Sequence, residues 1–209
     1  SSYSGNTEET LAALEDGLKK KAQIIGITTG GELKVKLKAL DKDVVLITSN
    51  GMVIRFNETQ ARPLGRSSRG VRGIKIKPED NLIGMGILNP DDASQHLLIL
   101  TRKGYGKNIK LSEFRCQSRG GIGVRCLKFR KTVKDDYVSD ACIVSKDQEL
   151  MIATENGTLC RQKISAISTQ KRESQGVRIV KLDDNDNVIS MSPVIKEEEV
   201  EPSESEASN

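Results

Sequence analysis

One frame occurs three times in this chain at intervals of 53 residues, and it restricts the possible folds more than any other feature. Thr48, Thr101 and Thr154 occupy it, followed by Gly51, Gly104 and Gly157, then by Arg66, Arg119 and Arg172. Gly70, Gly123 and Gly176 come next, with Val71, Val124 and Val177, with Arg72, Arg125 and Arg178, and with Lys75, Lys128 and Lys181 just behind. A period of this length belongs to propellers and repeat arrays, in which one supersecondary unit is copied and each copy buries apolar surface on its neighbours. The charged positions add a second implication: an arginine copied with its unit makes an array of units carry a line of charge.

Within each period the pattern reads as four short strands. A nearly continuous apolar run opens it, VVLIT (44–48), LLILT (97–101) or LMIAT (150–154), as suits a strand buried on both faces. A tight turn follows at SNG (49–51), RKG (102–104) or ENG (155–157). Asn50-Gly51 and Asn156-Gly157 predict a hairpin turn with positive φ at both central residues. The returning strand is MVIRF (52–56), YGKNI (105–109) or TLCRQ (158–162). A polar loop leads to a third strand in RGVRGIKI (69–76), GVRCLKF (123–129) or QGVRIVKL (175–182). The last strand is NLIGMGIL (81–88), YVSDACIV (137–144) or NVISMSPV (187–194), and the second unit lengthens its hairpin at RKTVKDD (130–136). The architecture expected is all-β and bladed, with four strands to a blade.

The expected organisation is a linker or leader at 1–22, the end of a preceding repeat at 23–43, blades at 44–96, 97–149 and 150–195, and an acidic disordered tail at 196–209. In the leader, Leu11, Leu14 and Leu18 share one helical face behind Asn6 or Thr7 as a cap. QIIGIT (23–28) echoes NLIGMGI (81–87), and GELKVKLKAL (31–40) alternates like an edge strand with its lysines in solvent. The chain opens in mid-pattern without an initiator Met and reads as a fragment.

Composition excludes several function classes. With no Trp, 3 Phe and 3 Tyr, the chain lacks the aromatic faces on which single-stranded nucleic acids stack. The net charge of +4 hides a division, because the tail from Lys196 holds six carboxylates against one lysine and the remainder carries 32 basic and 23 acidic residues. A basic body with an acidic tail suits a polyanionic partner and an internal competitor for the same surface. Cys116, Cys126, Cys142 and Cys160 form no CxxC pair and His96 stands alone, so no zinc-ligand spacing is present. The four read as reduced intracellular thiols, packed mostly as small hydrophobes. No apolar run approaches the roughly 20 residues of a membrane span.

Between the second and third strands each unit carries a loop rich in Arg and Gly: RPLGRSSRGVRGIK (62–75), RCQSRGGIGVRCLK (115–128) and TQKRESQGVRIVK (169–181). Glycine permits close backbone approach, so the N–H groups of such a loop, flanked by arginines, can meet a phosphate. The candidate duplex-binding residues are Arg62, Arg66, Arg69, Arg72 and Lys75 in the first unit. In the second they are Arg102, Lys103, Lys107, Arg115, Gln117, Arg119, Gly120, Gly121, Gly123, Arg125 and Lys128. In the third they are Arg161, Lys171, Arg172, Arg178 and Lys181. The competing roles are structural: a turn glycine that every blade needs, valines in the core, and Arg72, Arg125 and Arg178 paired with neighbouring carboxylates.

These loops carry a resemblance to a known family. At five of seven positions QSRGGIG (117–123) resembles the Q-R-R-G-G-K-G box of the DNA gyrase A subunit. NGMVIRF…RPLGRSSRGVRGIK (50–75) and KGYGKNIKLSEFRCQSRGG (103–121) are similar to the later repeats of that subunit's C-terminal domain, and the resemblance covers roughly 23–195. It implies a β-pinwheel, a propeller-like fold that wraps duplex DNA on a basic rim. It also implies a larger enzyme that introduces negative supercoils. That enzyme uses ATP and Mg2+ through the remainder of the A subunit, together with the B subunit of an A2B2 complex. The implied setting is the bacterial cytoplasm, or a chloroplast or mitochondrion, with no membrane contact. Ser118 and Ile122 depart from the box, and the third copy, KRESQGV (171–177), departs further. Tyr3, Tyr105 and Tyr137 stand in no active-site context, so no catalytic residue, metal or cofactor is expected in this stretch. Two alternatives remain: the equivalent domain of topoisomerase IV, and a propeller scaffold that binds proteins. An enzyme built on a cysteine or His96 lacks a nucleophile–base pairing.

Overall fold

The computed structural model describes residues 42–61 and 70–194. Of the described residues, 42–60 and 72–194 form one compact unit, and 61, 70 and 71 fall outside it. The leader at 1–22, the segments at 23–28 and 31–40 and the acidic tail all lie outside the described residues.

The strands are Asp43–Thr48 (β1), Met52–Asn57 (β2), Leu82–Leu88 (β3), His96–Thr101 (β4), Tyr105–Lys110 (β5) and Val124–Arg125 (β6). Val138–Val144 (β7), Glu149–Thr154 (β8), Leu159–Lys163 (β9), Val177–Arg178 (β10) and Val188–Val194 (β11) complete the set. They form three antiparallel sheets in the orders β3-β1-β2-β6, β7-β4-β5-β10 and β11-β8-β9. The fold is all-β, a β-pinwheel. The apolar runs make the central strands β1, β4 and β8, as their lack of alternation predicts.

The third strand behaves differently from the expectation. No blade keeps it: β6 belongs by sequence to the second repeat yet pairs with β2 of the first, with Val124 opposite Val53 and Arg125 opposite Met52. β10 of the third repeat likewise pairs with β5 of the second, Val177 opposite Gly106 and Arg178 opposite Tyr105. Each strand is two residues long, and 70–76 holds none. The second and third repeats therefore each complete their predecessor's sheet. Among the described residues nothing pairs with the outer side of β9, and Leu159 is 68% exposed where its equivalent Val53 is fully buried.

Strand exchange is matched by the two larger cores, which lie between blades, while a smaller one of Leu46, Ile54, Phe56 and Ile74 stays within the first repeat. Leu97 and Ile99 of β4 face a cluster with Val45, Ile47 and Val53 of the first blade, whereas Leu98 and Leu100 face one with Leu150, Ile152 and Ile164 of the third. A strand with opposite faces in different cores has no polar face, which is why LLIL does not alternate. Each fully buried Leu or Ile contributes about 1.5–3 kcal/mol. At Gly86 of β3 an added Cβ would lie 2.5 Å from Ile143 of β7, so the closing strands of adjacent blades pack closely.

The repeated Thr and Gly build the hairpin turn. Gly51, Gly104 and Gly157 have φ of 71°, 80° and 84°, and their N–H groups donate to the carbonyls of Thr48, Thr101 and Thr154. Each threonine Oγ1 also accepts the N–H four residues on, at 3.2 Å in all three copies. Only the glycine takes positive φ, so the turn is not the mirror-image type that Asn-Gly predicts. An aspartate near the start of the closing strand latches it. Asp80 Oδ1 accepts from Ser49 Oγ, Asn50 N and Asn81 N; Asp136 accepts from Lys103 N, and Asp186 from Asn156 N and Asn187 N. The residue before each latch, Glu79, Asp135 or Asn185, has φ between 54° and 66°.

Candidate nucleic-acid interface

Gly123 and Gly176 turn the chain onto the preceding sheet. Their φ values are 79° and 73°, and a Cβ would meet Val53 O at 2.5 Å and Gly106 O at 2.6 Å. Glycine is required there by both conformation and space. The residues that follow alternate, so Val124 faces the core while Arg125 stands exposed on the outer strand; Lys128 is exposed behind it. Arg178 and Lys181 repeat this placement in the second sheet, and Arg72 and Lys75 are exposed in the corresponding stretch of the first repeat. Arg115 and Lys171 are exposed as well. Arg62, Arg66 and Arg69 lie outside the described residues.

The box at 117–123 is zipped to the repeat before it. Gln117 N donates to Arg55 O, Gly120 N to Gly73 O and Arg119 N to Gln60 Oε1, while Lys75 N donates to Gly121 O. Three of the amides expected to cradle a phosphate are therefore occupied. Gln60 grips the loop again through Nε2 to Gln117 O. Arg119 is half-buried: Nε donates to Gln60 O at 2.8 Å and Nη1 to Arg72 O at 3.0 Å. Arg172 repeats this contact one unit on, with Nη1 to Arg125 O at 3.2 Å and Nη2 3.1 Å from Glu173 Oε1. The repeated arginine thus braces the preceding repeat's Gly-Val-Arg segment with part of its guanidinium.

Four candidates have their charged groups engaged within the chain. Lys107 is completely buried and donates to the carbonyls of Lys171, Arg172 and Ser174 at 2.8–2.9 Å and to Ser174 Oγ at 3.0 Å. With all three N–H bonds directed inward it does not meet a phosphate; it holds a loop. Burial lowers the pKa of its ammonium to about 8, with Cys126 and Glu113 opposing. Lys103 Nζ is committed to Asn187 Oδ1 at 2.9 Å, and Arg161 pairs with Glu149. Arg102 lies over the Tyr137 ring, 5.7 Å from its centre.

Other side chains that hold these loops escaped the sequence pattern. Arg130 and Arg178 both lie over the Tyr105 ring, at 4.7 Å and 5.4 Å, and Arg130 Nη2 donates to Gly176 O at 2.7 Å. Arg55 pairs with Asp43 and donates to Leu111 O and Phe114 O, while Asn108 at the same place in the next repeat donates to Ile164 O and Ile167 O. The signal for Arg55 was available in the 12-residue spacing from Asp43, which Glu149 and Arg161 repeat. The arrangement sets exposed cations at matched places on successive blades and braces each on the blade before it. No group of three or more His, Cys, Asp or Glu side chains among the described residues is placed to hold a metal, and no described helix is long and apolar enough to cross a membrane.

Comparison with known proteins agrees with this geometry. The family described as DNA gyrase C-terminal domain, beta-propeller, matches residues 42–89, 95–144 and 148–195. The DNA gyrase A subunit of Synechocystis sp. is 32% identical over 219 residues, covering 88% of this chain and 25% of the relative. The DNA gyrase A subunit of Staphylococcus aureus is 32% identical over 178 residues, covering 84% and 20%. The chain therefore spans about a quarter of the length of these relatives. Among solved structures, a DNA gyrase A C-terminal domain superposes with a TM-score of 0.66 at 28% identity, covering 75% of this chain and 52% of the other. The C-terminal domain of a DNA topoisomerase IV superposes with a TM-score of 0.69 at 24% identity, covering 75% and 47%.

Proposed function

The chain belongs to the DNA gyrase C-terminal β-propeller domain family, and from that premise we propose that it binds and wraps duplex DNA. The observation that carries the reading is the strand exchange. Arg125 and Arg178 occupy one register position on the outer strands of two sheets, each followed three residues on by an exposed lysine. Cations so repeated match a polyanion with a regular repeat of its own. Phosphate contacts carry no sequence information, so binding has little sequence preference. Duplex DNA is stiff over about 150 base pairs, and tight bending costs several kcal/mol. Roughly three phosphates neutralised per blade, about nine in all, offset that cost and give log K against log salt a slope of about −8.

In this reading the chain supplies no catalytic group. The cleavage core, ATP hydrolysis by a B subunit, Mg2+ and the A2B2 assembly belong to the rest of a type IIA topoisomerase, in the bacterial cytoplasm or an organelle of bacterial descent. Five box positions kept in 117–123 favour gyrase over topoisomerase IV. Fluorescence anisotropy with a 40-base-pair duplex across a salt series tests the binding, and ligation of nicked circles in the presence of the chain tests the wrapping. Binding that is steeply salt-dependent, with a net shift in linking number, is expected. No binding at low salt overturns the proposal, and binding without a linking-number shift overturns the wrapping.

A further inference from the structure

The loops that carry the basic residues are held by different devices in successive repeats. The box loop at 117–123 is clamped by Gln60, which bonds Gln117 O, Arg119 N and Arg119 Nε through its amide and its carbonyl. One period later Gln60 becomes Glu113, a carboxylate that cannot donate to a carbonyl. The loop at 171–174 is gathered instead by Lys107, at the position that holds Ile54 in the first repeat and Cys160 in the third. Burying a lysine is costly unless every proton finds an acceptor. Lys107 finds four, three of them backbone carbonyls of one turn. Ser174 tightens the same turn through Oγ to Gln170 Oε1 at 2.6 Å. At the base of the loop, Asn108, the neighbour of Lys107, exchanges backbone hydrogen bonds with Ser168 O and Gln170 N.

We propose that Lys107 is a positioning residue for DNA binding: its buried ammonium draws the carbonyls of Lys171, Arg172 and Ser174 inward and so sets where the side chains of Lys171 and Arg172 stand. The inference rests on the wrapping reading for its consequence, but the ordering of the loop does not depend on DNA. Ion–carbonyl bonds have no preferred partner sequence, so one ammonium can fix a turn that has lost the glycine-rich box, as KRESQGV has. An apolar residue at this place leaves Arg172 O without a donor and Lys171 O and Ser174 O with one backbone donor each, from Ser174 N and Lys128 N, so the turn is held less tightly.

Two readouts on Lys107→Ile, which copies the first repeat's residue, test this. Limited trypsin digestion, read by mass spectrometry, should cut after Lys171 and Arg172 about tenfold faster than in the parent chain, the loss expected for charge-assisted bonds, with cleavage at Lys131 and Lys134 unchanged. Duplex affinity should fall about two- to fivefold, and that loss should vanish when K107I is placed in a K171Q/R172Q chain. Unchanged cleavage after Lys171 and Arg172 overturns the inference whether or not the chain binds DNA. A loss of affinity that persists in the K171Q/R172Q background overturns it too, because Lys107 would then act by another route. If K107I does not fold, Ser174→Ala removes one acceptor of the same ammonium and should raise the same cleavage about two- to threefold, with no rise refuting the proposal.

Discussion

Gly123→Ala is the sharpest probe of strand exchange, because the structure separates its cost into two parts. The first is conformational: φ is 79°, and an alanine in the left-handed region costs about 1–2 kcal/mol. The second is steric. The new Cβ would stand 2.5 Å from Val53 O, 2.8 Å from Val53 C and 3.2 Å from Ile54 N. All three atoms belong to the backbone of β2, whose Val53 and Ile54 are fully buried, so β2 cannot retreat. β6 must leave instead, and with it go its short ladder on β2 and the bond from Cys126 N to Gly51 O at 2.9 Å. Two or three hydrogen bonds at about 1 kcal/mol each bring the total to about 3–5 kcal/mol. Gly157→Ala is the internal control: its φ is 84° but no atom lies within 4 Å of its Cβ, so it bears the conformational cost alone, about 1–2 kcal/mol. Urea unfolding of the two variants should place G123A about 2 kcal/mol below G157A. Duplex affinity should fall further for G123A, since Arg125 leaves with its strand. Equal midpoints for the two variants would refute the argument that β6 is held against β2 by the missing side chain.

Three further outcomes follow from other contacts. Arg119→Lys keeps the charge but loses the fork that reaches Gln60 O and Arg72 O, so it should destabilise the chain nearly as much as Arg119→Gln, whereas Arg125→Lys leaves the unfolding midpoint within about 0.5 kcal/mol of the parent. Burial pushes the Asp80 carboxyl up, but bonds from Asn50 N–H, Thr48, Ser49 and Asn81 N–H outweigh it and hold the carboxyl below its ordinary 3.8. Its folded value lies below the unfolded one, so its stabilisation is present above about pH 4 and lost as pH falls through the folded value. The deficit of Asp80→Ala in urea should therefore be full at pH 7 and shrink below pH 4. Burial raises the Cys126 and Cys142 thiols to about 12, while Cys116 is exposed. Ellman's reagent at pH 8 should modify Cys116 in the folded chain and reach Cys126 only after denaturation.

Much of the fold was legible because its signals are local. The apolar runs of β1 and β4 lie between two cores and need no alternation, that of β8 packs Leu150 and Ile152 into one, and Thr48, Thr101 and Thr154 mark turns whose bonds span three or four residues. The frame positions Arg125 and Arg178 were legible as exposed cations because each follows a valine in a strand, but only Val124 packs on the core; Val177, expected there too, is 37% exposed. The turn geometry was misread at Asn50-Gly51 because the tabulated preference describes two-residue loops, whereas here the glycine alone takes positive φ after a Thr-capped turn. Lys107 was misread because YGKNI is polar enough to pass for a solvent-facing strand. Its burial comes from the next repeat's loop, 64–67 residues on, closing over it.

By itself the sequence determined that three copies of a hairpin and a closing strand would form, with cations at fixed places on each, because turn chemistry and burial periodicity act over a few residues. Only the tertiary structure decided to which sheet the Gly-Val-Arg strand would be added. A two-residue strand holds too few hydrogen bonds to choose an edge on its own; the choice falls to Gly123 and Gly176 fitting against the preceding blade's backbone and to Arg119 and Arg172 bonding its carbonyls. The repeated arginines therefore belong to two blades at once. That sharing ties the spacing of the charges to the packing of the fold.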